Sequence, residues 1–527
     1  MADPLAYNKA QRADLDLDLE KGPFESSSDC EAATIVSDPG SGPGSRDGPP
    51  SGEKAEEGET DPNIVTWDGP DDPANPMNWT MRKKWSNIAV LSTLTIITPL
   101  GSSMFAPGIL GILREFGAES SKTTATFLLS IYILGFAFGP LFVAPMSETY
   151  GRSLLYNISN VFFAVFSICT ALSNSIGMMM AFRFLMGVAG SVPITIGSGS
   201  IADIMPVEMR GRAMAAWALG PLLGPAIGPV AGGYLIRASS WRWVYWLIAM
   251  LAGVLAVFTF FTLQESYAPV ILQRKAAKLR KETGNQALRG QFTDTSISAA
   301  SRLKLAIIRP IKLLFLVPII TSMASYVAIT YGILYLLFST FSLVFPTHYG
   351  FGEGESGLVY IPSAIGMALG IGIFGTLSDK VVGKNLAKGE KHRPEIRLDP
   401  WFTVPAGFAL PIGLFIYGWT IQYHVHWIVP MIGIVIFAFG LMGIMMCVQN
   451  YLLDVYPGHA ASVTAALTVL RSLVGALLPL CALDMYATLG MGWGNSLLAF
   501  LSLALVPIPL LFFKFGPTLV KKFQVDL

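Results

Sequence analysis

Charge is what this chain lacks first. Only 13% of its 527 residues are Asp, Glu, Lys or Arg, against about a quarter in ordinary soluble domains. That charge is unevenly spread, since 18 of the 35 acids but only five of the 36 bases precede residue 81. The body that follows is basic and too thinly coated to be a water-soluble globule, so the chain reads as a membrane protein. Cysteine is nearly absent too. Cys30, Cys169, Cys447 and Cys481 form no Cys-x-x-Cys pair, which argues against a disulfide framework or a zinc site and for packed thiols. The five histidines (His348, His392, His424, His426, His459) fall in loops or at helix ends. There is no Gly-x-x-x-x-Gly-Lys phosphate loop and no catalytic constellation, which argues against an enzyme, a metal centre and direct ATP drive. The bases do not line one face, so no nucleic-acid partner is expected. The amino terminus has no apolar core of a secretory signal, leaving the first spanning helix as the insertion signal.

What is present is apolar length. A helix needs about 20 apolar residues to cross the hydrocarbon core. Twelve such runs stand near 86–108, 123–146, 154–173, 176–202, 213–235, 241–263, 313–341, 355–378, 400–421, 426–449, 460–484 and 493–514. Six plus six around a polar, basic middle outlines an internal duplication. The expected organisation is a disordered acidic tail (1–80), a six-helix bundle (81–264), a central cytosolic loop (265–312), a second bundle (313–515) and a short tail (516–527). The tail is rich in Ser, Gly, Pro and acid and cannot bury enough apolar surface to fold alone. With the amino terminus inside, the inner loops hold 25 Lys and Arg and the outer loops four, which places both termini in the cytosol. Trp241, Trp243, Trp246, Trp419, Trp427 and Trp493 then fall at outer ends, where indole suits the interface. The sequon Asn78-Trp79-Thr80 falls on the cytosolic side and should stay bare.

The strongest motif is GPLLGPAIGPVAGGY in the fifth run. Gly220, Gly224, Gly228 and Gly232, with Gly233 beside the last, line one face, and Pro221, Pro225 and Pro229 follow the first three. A glycine row lets two backbones approach closely, and prolines bend a helix where a neighbour compensates. One such pair is only a packing face, whereas this interleaved row points to a hinge or seal. The second motif is APMSETYGRSLLY after the second run, where Glu148 and Arg152 flank a turn at Gly151. A near-copy, GTLSDKVVGK, sets Asp379 four residues after Gly375 as Glu148 stands four after Ala144, suggesting a duplicated latch rather than plain loop charges. Arg183 and Arg471 lie inside helices, where an ionisable group costs about 2.5–3.5 kcal/mol on insertion scales. Each lines a cavity or tethers backbone carbonyls. Asp203, Glu208, Arg210, Glu265, Gln449, Asn450 and Asp454 mark inner helix ends.

These motifs resemble those of major facilitator superfamily transporters, and specifically the fungal twelve-helix drug:proton antiporter branch. The resemblance covers about 63–520 through NIVTWDGPDDPANPMNW, APMSETYGR, RFLMGVAG, GPLLGPAIGPVAGG, SWRWVYW, QNYLLDVY and VLRSLVGALLPL. It implies an all-α membrane fold of two pseudo-symmetric six-helix bundles around a central cavity, with alternating access. It implies an interhalf gate of Glu148, Gly151 and Arg152, with Asp203 as a partner of Arg152 and Arg183 tuning a carboxylate. The glycine–proline helix would keep the cavity tight. Two departures stand out: Ala144 replaces the usual first glycine of the loop motif, and the first helix carries no acid, so no proton carrier is assigned.

The resulting expectation is proton-driven export of a small hydrophobic or amphiphilic compound, such as a drug, fungicide, toxin or other secondary metabolite. Polyamine:proton antiport is the alternative, and a facilitator or symporter is argued against by the helix-five repeat. Phe136, Phe138, Trp217, Tyr326, Tyr331, Tyr335, Phe437, Gln449 and Asn450 are the expected cavity residues. No cofactor is expected beyond the proton gradient. The expected partners are the lipid bilayer, a small-molecule substrate and protons, with a functional monomer at the plasma membrane or, alternatively, the vacuolar membrane.

Overall fold

The computed structural model describes residues 63–117, 122–291, 299–387, 393–456 and 460–522, so the expected tail up to residue 62 lies outside the described residues. After a short strand β1 (Ile64–Val65), the first half holds α1 (Met81–Ser103), α2 (Ile109–Glu115), α3 (Lys122–Tyr150), α4 (Arg152–Ala171), α5 (Ile176–Gly190), α6 (Val192–Ile204), α7 (Val207–Ala238) and α8 (Trp241–Thr262). The connection carries α9 (Ala268–Thr283), β2 (Arg289–Gly290) and α10 (Ala299–Leu316). The second half comprises α11 (Pro318–Tyr349), α12 (Glu353–Leu358), α13 (Ile361–Ala387), α14 (Pro400–Gln422), α15 (Ile428–Val455), α16 (Ala460–Leu477), α17 (Ala482–Leu505) and α18 (Pro507–Lys522). Helix starts follow local chemistry: the side chains of Ser175, Ser240 and Asp399 accept from the backbone N–H groups of Met178, Arg242 and Trp401, satisfying donors that have no partner inside the helix.

This is an all-α membrane fold. Ten stretches among the described residues are long and apolar enough to cross a bilayer, and the last, Ser462–Val520, runs to 59 residues. At 1.5 Å per residue that is far longer than the hydrocarbon core of about 30 Å. It is kinked at Gly490, whose φ of 74° and ψ of 173° lie outside the helical region. Twelve crossings require this stretch to count as two and α7 to be added.

The glycine row explains why α7 lies against α1. A Cβ at Gly220 would collide with Thr95 and one at Gly232 with the Met104 carbonyl. At Gly224 it would stand 2.8 Å from Pro99, and at Gly228 2.8 Å from the Ser103 hydroxyl. Four glycines therefore let two backbones touch along a continuous seam. Beyond the seam, α7 reaches the second half. A Cβ at Gly233 would meet the Glu353 carbonyl, and one at Gly357 the Pro229 carbonyl.

Residues 63–80, grouped with the tail on composition, are folded against the central connection. β1 pairs in parallel with β2, and Lys275 reaches Asp68 at 2.5 Å and Asp72 at 3.8 Å. The Asp72 carboxylate also accepts from the backbone N–H groups of Asp68 and Ala74 at 2.9 and 2.8 Å. These hydrogen bonds, then Lys275, hold its pKa below the usual carboxylate range. The Asn78 side-chain amide of the sequon donates to the carbonyls of Pro70 and Asp72, so it is engaged internally.

Two outcomes are expected. Gly224→Leu should destabilise the bundle by about 1–3 kcal/mol or more through overpacking, read as loss of monodisperse protein. Gly253→Leu should be tolerated, because nothing lies within 4 Å of a Cβ there. The Asp72 contribution is present above the ordinary carboxylate pKa and fades only as pH falls through the lowered folded value. Amide protection of residues 63–79, measured against the intrinsic exchange rate at each pH, should therefore fall on acidification below the ordinary range, and in Asp72→Ala already at neutral pH.

Candidate functional site

The turn between α3 and α4 is built around Gly151. Its φ of 99° suits only glycine, and a Cβ would collide with the Glu265 carboxylate. Glu265 fills that space because its Oε1 accepts from the backbone N–H of Arg152 at 2.9 Å and from Ser266 and Tyr267 at 3.1 Å each. An acid thus caps the positive end of α4, but it is Glu265, beyond α8, and not Glu148 of the turn. The Arg152 guanidinium turns inward. Its Nε pairs with Asp203 Oδ2 at 2.5 Å, its Nη1 lies 3.4 Å from the Ser147 hydroxyl, and its face lies 4.9 Å from the Tyr267 ring. Gly199 leaves room for it, since a Cβ there would be 2.8 Å from Nη2. Glu148 itself is exposed and makes no hydrogen bond or ion pair among the described residues.

The second half carries a matching arrangement. Arg397, on a 3-10 turn (Pro394–Leu398), pairs with Asp454 at 3.0 Å and donates to the Ser378 hydroxyl at 2.9 Å. Ser147 and Ser378 each stand just before the duplicated acid position, and Asp203 and Asp454 close corresponding helices. Asp379 lies on α13, but its side chain is outside the described residues. Arg397 was not singled out from sequence, because it arrives from the 3-10 turn before α14 instead of directly after a glycine. The excess of bases before that turn was the one available signal.

Arg183 is fully buried, and its partners correct the expectation that it tunes a carboxylate. It donates to the carbonyls of Leu128 and Ser102 at 2.8 and 3.1 Å and to the Tyr245 hydroxyl at 2.7 Å, and lies 3.8 Å over the Phe105 ring. No carboxylate is among its partners. It is a tether joining α1, α3, α5 and α8.

The expected cavity residues separate into groups. Phe136 packs edge-on to Tyr132, with centroids 5.1 Å apart, while Tyr331 and Tyr335 stand 4.9 Å apart. The Arg471 guanidinium lies 5.1 Å from the Tyr331 ring. These side chains come from the middles of α3, α11 and α16, where the halves meet. Phe138 does not join them: two positions on from Phe136 it faces the other side of α3, exposed against Phe184. Tyr326 and Phe437 are corrections as well. Both are buried within the second half, Tyr326 beside Gly407 and Phe437 beside Gly413, because glycines on α14 draw its neighbours close. Trp217 donates to the Pro193 carbonyl at 3.3 Å and packs on Gly197 within the first half. Gln449 is exposed and Asn450 half-buried on α15.

The model of the Major Facilitator Superfamily matches residues 91–479. A Floropilus chiversii protein named Efflux pump radE is 49% identical over 476 residues, covering 89% of this chain and 88% of its own. MFS-type transporter penM of Penicillium rubens is 47% identical over 472 residues, covering 89% and 92%. Among solved structures, the proton:xylose symporter XylE bound to 6-bromo-6-deoxy-D-glucose superposes with a TM-score of 0.59 at 15% identity, over 83% of this chain and 97% of that one. At that identity the likeness speaks to the fold alone.

Replacing Arg183 by Met would leave three buried acceptors without their donor. A loss of about 3 kcal/mol or more is expected, read as a lower thermal midpoint in detergent. Arg183→Lys should recover only part of it, since an ammonium cannot span three directions as a guanidinium does.

Proposed function

Because the chain belongs to the Major Facilitator Superfamily and is a multi-pass membrane transporter and not an enzyme, we propose that it exports small hydrophobic or amphiphilic compounds, of the secondary-metabolite or drug type, in exchange for protons. The observation that carries this reading is the pairing of two features. Arg152–Asp203 and Arg397–Asp454 each fasten matching helix ends inside their own half and leave the halves unjoined by either pair, while Gly233 and Gly357 bring the halves into contact at the far end of α7. A transporter working by alternating access needs separable contacts at its two ends. The name of the Floropilus relative, an efflux pump, supports the direction of transport.

In this reading the bundle works as a monomer with both termini in the cytosol, at the plasma membrane. Glu148, exposed, with no hydrogen bond or ion pair among the described residues and in the field of Arg152, is the acid free to change partners as that end closes. The seam of α7 on α1 keeps the first half rigid and tight while the halves rock. Polyamine exchange is less well supported. A polycation at the junction of the halves would meet Arg471 beside the Tyr331 ring, with no acid in contact with it among the described residues.

The test is proton flux in proteoliposomes of the full chain, with a hydrophobic drug and then spermidine added. Flux coupled to the drug is expected, reduced at least tenfold in Glu148→Ala and in Asp203→Asn. Coupling to spermidine alone would replace drug export with polyamine exchange, and uptake of the drug without proton movement would remove the antiport.

A further inference from the structure

Arg471 is the arginine whose surroundings the export reading leaves unexplained. It stands near the middle of the stretch that begins at α16 and ends at the Gly490 kink, where a charge is expensive and needs a partner. Arg183, fully buried in the spanning helices, has carbonyl and hydroxyl partners, and Arg152 has Asp203, whereas Arg471 is half-buried. Arg471 makes no hydrogen bond or ion pair among the described residues, and its Nε is buried with no acceptor. Its one contact of note is the face of Tyr331 at 5.1 Å.

The site around it is built, not accidental. Tyr331 and Tyr335 present hydroxyls 3.5 Å apart, and the half-buried Phe136, packed edge-on to the fully buried Tyr132, offers ring surface from the first half. The Tyr132 hydroxyl is committed to the Thr98 carbonyl at 2.6 Å. One turn beyond Arg471, Gly475 lets α16 approach both halves: a Cβ there would lie 3.3 Å from Tyr331 and 3.6 Å from Ile133. Among the described residues the titratable neighbours of Arg471 are Tyr331 and Tyr335, and no carboxylate contacts it. A guanidinium with no anion among the described residues, set against tyrosine at the junction of the two halves, suits a ligand that brings its own anion.

We propose that Arg471, with Tyr331 and Tyr335, forms the anion-recognition point of the central binding site. The favoured substrate is an amphiphile with an apolar or aromatic body and one carboxylate or comparably acidic oxygen. The guanidinium takes the anion through two parallel N–H donors, the tyrosine hydroxyls add donors, and the body lies against Phe136. The substrate class rests on the export reading, but the binding chemistry is testable without transport.

Equilibrium binding of three fluorescent probes to the full chain in nanodiscs decides it: pyrenebutyrate, its primary amide and the corresponding amine, each against empty nanodiscs. The carboxylate should bind at least about tenfold tighter than the amide. Arg471→Ala should abolish that advantage while leaving amide affinity within about twofold, which also shows that the variant is folded. Arg471→Lys should keep part of the preference, because a point charge lacks the bidentate geometry. Equal binding of acid and amide, tightest binding of the amine, no binding of the acid, or an unchanged acid affinity in Arg471→Ala would each overturn the proposal. Proton flux with the hydrophobic drug but no charge preference would sink this inference alone. A charge preference without any proton-coupled flux would sink the antiport reading alone.

Discussion

A guanidinium inside a bundle this poor in carboxylates has to find its partners among carbonyls, hydroxyls and rings, and that constraint shapes the molecule. Arg183 finds two carbonyls, a tyrosine hydroxyl and the face of Phe105, and in doing so ties four helices of the first half together. Arg152 and Arg397 each take an aspartate and a serine at the ends of corresponding helices. Where acids are scarce, each one that is present is committed to a position. An aspartate at the close of α6 or α15 is a fastening because it pairs with an arginine brought in from another element.

The second constraint is backbone proximity. The α7 glycines remove side chains from the surface facing α1, so the two helices meet main chain to main chain. Such a contact is dominated by dispersion between close-packed atoms and is independent of the hydrophobic effect, which lipid does not supply between helices. The prolines on α7 leave the helix continuous from Val207 to Ala238, and the glycines beside them allow the neighbour to fill in. The same device recurs where α14 meets α15, around Gly413 and Gly433. Rigid pairs of helices within each half follow from these contacts. The contact between halves at the far end of α7 rests on fewer of them.

Much of this was legible in the chain. Apolar length identified the spanning helices, the glycine spacing identified the close face of α7, and Gly151 marked the tight turn. Pairing of Arg152 with Asp203 came from the resemblance of the loop motif. Arg397 was not found, because its partner set comes from a loop of different length in the second half, and spacing is preserved only where the loop is. Phe437 and Tyr326 were misplaced for a related reason. Every helix in an apolar bundle has aromatic residues on several faces, and apolarity does not distinguish a face toward lipid, toward a packed neighbour or toward the junction of the halves.

The amino-acid sequence by itself determined that this is a helical membrane protein with an internal duplication, because crossing hydrocarbon demands runs of apolar residues that nothing else in the chain requires. It also determined which backbones can touch, because a missing Cβ is a local property. Only the tertiary structure decided what each buried charge faces. Arg183 and Arg471 look alike in sequence, single arginines within apolar runs, yet one is held by partners from three helices and the other stands against the Tyr331 ring with no anion beside it among the described residues. That difference depends on how neighbouring helices are rotated about their axes. Rotation is set by the sum of many packing contacts along the whole length of a helix, and no single residue carries it.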